Sequence, residues 1–185
     1  MDFQKSKERQ LGMHDRSDIG KWDLKIVKLC RKINQNPDYY TTSSCAGRVV
    51  LIKSEEKKRS GLFVYRTHNR LTFKEIKREL KKSEKEKGII LFKQEPVILH
   101  VACISIESAQ KMLDKAKFVG WKNSGIMASN ERVVLEMRST EKLELPIMNK
   151  GKILVDDNYL RLLIKEANRR LDRTWEKINK LGRLV

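Results

Sequence analysis

The tract Ser43-Ser44-Cys45-Ala46-Gly47-Arg48 gathers two hydroxyls, a thiol, a glycine and a guanidinium within six residues. Small side chains let successive backbone N–H groups converge. Gly47 opens backbone angles closed to other residues, and the Arg48 fork adds fixed positive charge. Such a loop suits a bound carboxylate or phosphate, and it equally suits an ordinary entry into a strand. Cys45 offers a second chemistry, the thiol nucleophile of a cysteine hydrolase with His68 or His100 as its base. His100 interrupts the apolar run of residues 97–104. It either lines a cavity, where it is a candidate base, or sits in the core satisfied by a backbone carbonyl. His68, beside Asn69, falls at the end of a predicted strand. Lys122-Asn123-Ser124-Gly125 is a second small polar loop leading into a strand, and Glu136 and Arg138 share a face of the strand that follows. That pair either holds an amino-acid moiety or neutralises itself.

Several chemistries are missing. The histidines, His14, His68 and His100, have no i, i+4 spacing, and Cys30, Cys45 and Cys103 have no C-x-x-C spacing. No metal site and no disulfide framework is therefore expected, and the cysteines suit a reduced, intracellular protein. There is no P-loop and no G-x-G-x-x-G after a strand, so an ordinary nucleotide-binding Rossmann unit is not expected.

Periodicity supplies the elements that must position these groups. Trp22, Ile26, Leu29 and Ile33 recur at helical spacing up to Asn36-Pro37. A β-branched strand over 49–52, a charged loop over 53–61 and a strand over 62–65 follow. Thr72 and Glu75 form a capping box for a helix bearing Phe73, Ile76 and Leu80, which Gly88 stops. Strands over 89–92 and 97–104 flank Pro96. Ala109, Met112, Leu113 and Ala116 mark a helix closed by Gly120. Strands over 125–129 and 133–138 are joined at Asn130-Glu131, with shorter strands over 143–147 and 153–155. Asp157 then caps a long helix with Leu160, Ile164, Ala167, Leu171, Trp175 and Ile178 on one face. Gly47-Arg48-Val49-Val50-Leu51 echoes Glu131-Arg132-Val133-Val134-Leu135. The expectation is one mixed α/β domain over 1–185, with substantial antiparallel content and pseudo-repeat halves of roughly 21–104 and 105–185.

Charge narrows the partner. Forty-one Lys plus Arg against 24 Asp plus Glu leave a net +17. Residues 53–87 hold 13 basic and 6 acidic side chains, and residues 159–185 hold 8 and 3, whereas residues 88–158 are nearly neutral. A polyanion, specifically nucleic acid, is the plain inference from a field this large, and a solubilising surface is the bland alternative. Interleaved Lys and Glu is also a composition that hyperthermophiles favour. No apolar stretch approaches the roughly 18–20 residues of a membrane span, and the first twenty residues are charged. Neither membrane insertion nor secretion is expected.

Taken together, Asp15-Arg16-Ser17 with Gly20 and Asp23, the tract 41–48 (TTSSCAGR), the strand ending at His68, residues 99–103 (LHVAC) and residues 120–126 (GWKNSGI) form an ordered set. Glu136-Met137-Arg138-Ser139, Leu145-Pro146-Ile147 and residues 159–168 complete it. In these features the chain resembles the wybutosine-synthesizing protein 3 family of tRNA methyltransferases, in its short archaeal single-domain form. Ala46 departs from the pattern, since the family usually carries Ser there. The resemblance implies a duplicated β/α arrangement around a barrel-like, largely antiparallel sheet, distinct from the Rossmann methyltransferases. It implies a cytoplasmic enzyme that uses S-adenosylmethionine to methylate N4 of a tricyclic wyosine precursor. 7-Aminocarboxypropyl-demethylwyosine is the expected substrate, formed at the purine 3′ of the anticodon of tRNA-Phe. Under this reading Ser43, Ser44, Cys45, Gly47 and Arg48 cradle cofactor or substrate. Lys122, Ser124, Gly125, His68, Glu136 and Arg138 join them, and His100 or Asp23 is the base. The basic segments 53–87 and 159–185 then hold the anticodon stem. The competing class is a non-catalytic RNA-binding module.

Overall fold

A computed structural model describes residues 2–13, 23–55, 61–128 and 132–185. Asp15, Arg16, Ser17, Gly20, Trp22 and the Asn130-Glu131 turn lie outside the described residues. The chain opens with α1 (Phe3–Leu11) and α2 (Val27–Gln35), then β1 (Tyr39–Cys45), β2 (Arg48–Lys53) and β3 (Phe63–Thr67). Next come α3 (Phe73–Lys82), β4 (Ile89–Glu95), β5 (Ile98–Cys103) and α4 (Ile106–Phe118). It closes with β6 (Gly125–Ala128), β7 (Val133–Arg138), β8 (Leu143–Asn149), β9 (Lys152–Ile153) and α5 (Asp157–Leu181).

Local chemistry accounts for most of the boundaries. The Thr72 hydroxyl accepts the Glu75 N–H, and the Glu75 carboxylate accepts the Thr72 N–H at 2.8 Å, so α3 starts on the expected capping box. It stops earlier than Gly88, because the Ser83 hydroxyl donates to the Glu79 carbonyl and the Ser83 N–H closes on Leu80. Asp156, not Asp157, caps α5 by accepting the Tyr159 N–H at 2.8 Å, and Asp157 instead pairs with Lys77. Helix α1 has no apolar stripe to announce it. Asp2 caps it, Phe3 packs on Tyr40 with ring centroids 5.1 Å apart, and Lys7 donates to the Asn36 carbonyl at 2.5 Å. Burial pushes the Lys7 ammonium below its usual pKa.

The chain divides into two compact units. The first comprises Met1–Ala46, Val97–Thr140 and Thr174–Val185, and holds an antiparallel sheet in the order β1-β5-β7-β6. Leu99, Val101 and Cys103 of β5, with Leu135 and Met137 of β7, enter a core shared with Leu29 and Ile33, Met112 and Ala116, and Trp121, Ile178 and Leu181. Alternation then turns Ile98, His100, Glu136 and Arg138 to the opposite face. None of the cysteines is in a disulfide. Burial pushes the Cys30 and Cys103 thiols up to about 12, leaving half-buried Cys45 as the accessible one. An aromatic disulfide reagent at pH 8 is expected to consume one thiol rapidly and three in denaturant. Rapid reaction of all three in the folded protein would contradict this packing.

The second unit comprises Gly47–Pro96 and Glu141–Arg173, with an antiparallel sheet in the order β3-β2-β4-β8-β9. Val49, Val50 and Leu51 are successive buried residues, so both faces of β2 are covered. Ile76 and Leu80 of α3 and Leu160, Ile164, Ala167 and Leu171 of α5 are buried in the same unit. Arg70 makes a forked pair with Asp172, and the Leu71 backbone exchanges two hydrogen bonds with the Asn168 amide, fixing the start of α3 to α5. Lys150 and Gly151 join β8 to β9 as a two-residue turn, with φ of 48° and 75°. A Cβ at Gly151 would lie 2.1 Å from the Glu84 carbonyl oxygen. Gly151→Ala is therefore expected to destabilise the protein by about 2–3 kcal/mol, read from the urea midpoint. A wild-type midpoint would contradict the turn.

Both sheets fulfil the expected mixed, antiparallel α/β class. No parallel strand pair occurs among the described residues, so neither unit is a Rossmann arrangement. No helix among them is long and apolar enough to cross a membrane.

Candidate active site

Strand register builds one polar line across the sheet of the first unit. Ser43 on β1 lies opposite His100 on β5, His100 opposite Glu136 on β7, and Glu136 opposite Gly125 on β6. Regular pairing continued from Thr41 would set Thr42 against His100 and turn Ser43 toward the core. A bulge between Thr41 and Ser43 absorbs one residue and leaves Ser43 on the outer face. Its Oγ lies 2.7 Å from His100 Nδ1, and His100 Nε2 lies 2.9 Å from Glu136 Oε2. An ionised carboxylate can only accept, so Nε2 carries the ring proton. Nδ1 of the neutral ring then accepts the Ser43 hydroxyl. Ser43 is exposed, whereas the His100 side chain is only 27% exposed.

The next rung on this face is Cys45, Ile98 and Arg138. Arg138 Nη2 stands 3.6 Å from Glu136 Oε1, and its Nε is buried with no hydrogen-bond partner among the described residues. A Cβ at Gly125 would meet nothing within 4 Å among the described residues, so among them the line ends in an open step beside Glu136. Ser124 stands just behind it. Its hydroxyl donates to the Trp121 carbonyl at 2.6 Å and accepts the Arg138 N–H at 3.0 Å, clasping the loop to β7. Lys122 in the same loop is exposed.

These contacts correct several expectations. The tract 43–48 is not a loop. Ser43, Ser44 and Cys45 pair along β1, Arg48 belongs to β2, and only Ala46 and Gly47 connect them. The open nest of N–H groups is therefore replaced by strand pairing, and the Ala46 N–H is taken by Asp23 Oδ2 at 3.0 Å. Asp23 Oδ1 accepts the Lys25 N–H, so this carboxylate anchors the end of β1. Ser44 turns to the other face and bonds the Cys30 thiol. His100 is not a core histidine satisfied by a carbonyl, since its ring bonds two side chains. Both ring nitrogens are engaged, which leaves neither for a Cys45–His100 hydrolase pair. Glu136 and Arg138 do pair, Oε1 with Nη2 at 3.6 Å, while the other carboxylate oxygen makes the shorter contact to His100.

Gly47, Arg48 and His68 belong to the second unit. Gly47 has a φ of 87°, the left-handed geometry its type permits. Arg48 Nε pairs with Glu95 Oε2 at 2.5 Å, and its guanidinium lies over the Phe63 ring. His68 directly follows β3. Missing from the sequence reading is the link from Ser43 through His100 to Glu136. In-phase polar residues on two half-buried strands were its only local signal.

The chain matches the model of the family described as Methyltransferase TYW3 over residues 4–185. A Methanocaldococcus jannaschii protein named tRNA(Phe) 7-((3-amino-3-carboxypropyl)-4-demethylwyosine(37)-N(4))-methyltransferase is 39% identical over 158 residues, 83% of this chain and 81% of that one. An Archaeoglobus fulgidus protein of the same name is 35% identical over 177 residues, 95% of this chain and 88% of that one. Among solved structures, a Pyrococcus horikoshii protein superposes with a TM-score of 0.88 at 29% identity, covering 98% of this chain and 95% of that one. With nearly its whole length inside that model, and relatives matched over most of theirs, the chain belongs to the Methyltransferase TYW3 family.

Proposed function

We propose that the outer face of the β1-β5-β7-β6 sheet binds a tricyclic wyosine precursor and removes the ring proton that methylation at N4 displaces. The names of the archaeal relatives support this substrate, 7-(3-amino-3-carboxypropyl)-4-demethylwyosine in tRNA-Phe. The observation that carries the reading is the hydrogen-bonded line Ser43–His100–Glu136, a group able to accept a proton and exposed at Ser43. When bound, S-adenosylmethionine supplies an electrophilic methyl group on a sulfonium. Residues present on this face suit it. The buried, unpartnered Nε of Arg138 is a donor fit for a carboxylate, whether of the methyl donor or of the aminocarboxypropyl chain. The Ser124 clasp fixes the Arg138 backbone, and Asp23 fixes Ala46 at the end of β1, so both rungs keep their spacing. His100 is the base. Asp23, occupied by two backbone N–H groups, is a positioning residue instead.

The substrate base belongs to an anticodon loop, where a purine can be splayed out and read by its edges. The basic segments 53–87 and 159–185 then hold the surrounding phosphates, in a cytoplasmic setting where tRNA is modified. Binding of precursor tRNA, followed by fluorescence anisotropy, is expected to weaken about 100-fold between 50 and 200 mM salt. A flat response would assign this charge to solubility alone. The function itself is tested by supplying labelled S-adenosylmethionine and tRNA-Phe bearing the demethylated precursor. Label on the base supports the enzyme. Binding without transfer would make the chain an RNA-binding module.

A further inference from the structure

We infer that Ser43, His100 and Glu136 form a proton relay in which the serine hydroxyl, rather than the imidazole, meets the acceptor nitrogen. The inference rests on the methyl-transfer reading above and adds the route the proton takes. Geometry closes the direct route. Nε2 donates to Glu136 at 2.9 Å, and Nδ1 is covered by Ser43 Oγ at 2.7 Å. The His100 ring is therefore reached through Ser43. A hydroxyl that donates inward to Nδ1 turns its lone pairs outward, and Ser43 is the exposed end of the line. An incoming ring N–H can donate to those lone pairs.

The proton balance is then complete. As the acceptor N–H bond breaks, its proton passes to Ser43 Oγ while the Ser43 proton passes to His100 Nδ1. The acceptor nitrogen takes the methyl group, its N–C bond forming as the donor's S–C bond breaks. The resulting imidazolium stays between Ser43 and the Glu136 carboxylate, and a later proton release to water restores the neutral ring. Glu136 touches no reacting atom. It is a positioning residue that holds the Nε2–H tautomer and opposes the imidazolium charge, the part an aspartate plays in serine-hydrolase triads.

The test joins kinetics to a spectroscopic readout. In protein labelled with 15N-histidine, the resonance lost in His100→Gln is expected to report a neutral Nε2–H ring. Glu136→Gln can still accept that N–H through its amide oxygen, so the tautomer persists, but kcat falls at least about tenfold with KM nearly constant. Glu136→Ala loses both, with mixed tautomers and a larger fall in kcat. Ser43→Ala keeps the tautomer and falls about as far as His100→Gln. An Nδ1–H ring in the wild type, or wild-type kcat in Ser43→Ala, would overturn the relay while leaving methyl transfer standing. Failure of the wild-type protein to transfer any methyl group would instead overturn the functional reading, and the relay with it.

Discussion

His100→Gln is expected to lower kcat by about 10²- to 10⁴-fold while changing tRNA affinity by no more than about twofold. Glutamine is close to histidine in reach and can still hydrogen-bond toward Ser43 and Glu136, so the β1-β5-β7 pairing should survive. It has no nitrogen able to accept a proton near neutral pH. The proton from the acceptor ring then has no side-chain base to receive it along this line. In the reading proposed above, affinity for tRNA rests mainly on phosphate contacts of the basic segments 53–87 and 159–185, so it should barely change. Single-turnover methyl transfer, with binding measured separately on the same preparation, reads the two quantities. Full turnover in this variant would remove His100 from the chemistry.

Trp121→Ala carries the largest expected loss of stability, about 3–5 kcal/mol. Trp121 is completely buried in the core of the first unit, together with residues of α2, α4 and the end of α5. Truncation leaves a cavity that rigid neighbours on a sheet and three helices cannot fill. A chain of this size should lose roughly 10 °C or more in Tm. The effect should reach the polar face as well, because the Trp121 carbonyl holds the Ser124 hydroxyl and Ser124 holds the Arg138 N–H. Calorimetry measures the first part. An unchanged Tm would mean that the indole is not where the core needs it.

Local chemistry was legible in the sequence, and pairing was not. The Thr72–Glu75 box, the Gly120 terminus with its φ of 93°, and the apolar stripes of α2 and α4 all depend on residues within a few positions of one another. Helix α1 escaped because its support comes from Tyr40 and Asn36, about thirty residues away or more, and not from a stripe of its own. The tract 43–48 stands out by composition, yet its strand conformation differs from the loop that composition suggests. Serine and glycine usually signal loops, whereas Tyr39, Tyr40, Thr41 and Thr42 just before it favour a strand that runs on to Cys45. The polar line itself joins residues 57 and 36 positions apart. Which residue of β1 faces His100 further depends on a one-residue bulge. Neither the partner strand nor the bulge is written in the local pattern, so Ser43 and Glu136 could be named as candidates but not as neighbours of one histidine.

Residues that act as one unit lose function non-additively, because the second removal finds nothing left to break. The measurement that bears most directly on the polar line is therefore labelled methyl transfer to precursor tRNA-Phe by the Ser43→Ala/His100→Gln double variant, beside each single variant. A double variant no slower than His100→Gln alone is the predicted result. A loss equal to the product of the two single losses would show Ser43 and His100 working separately.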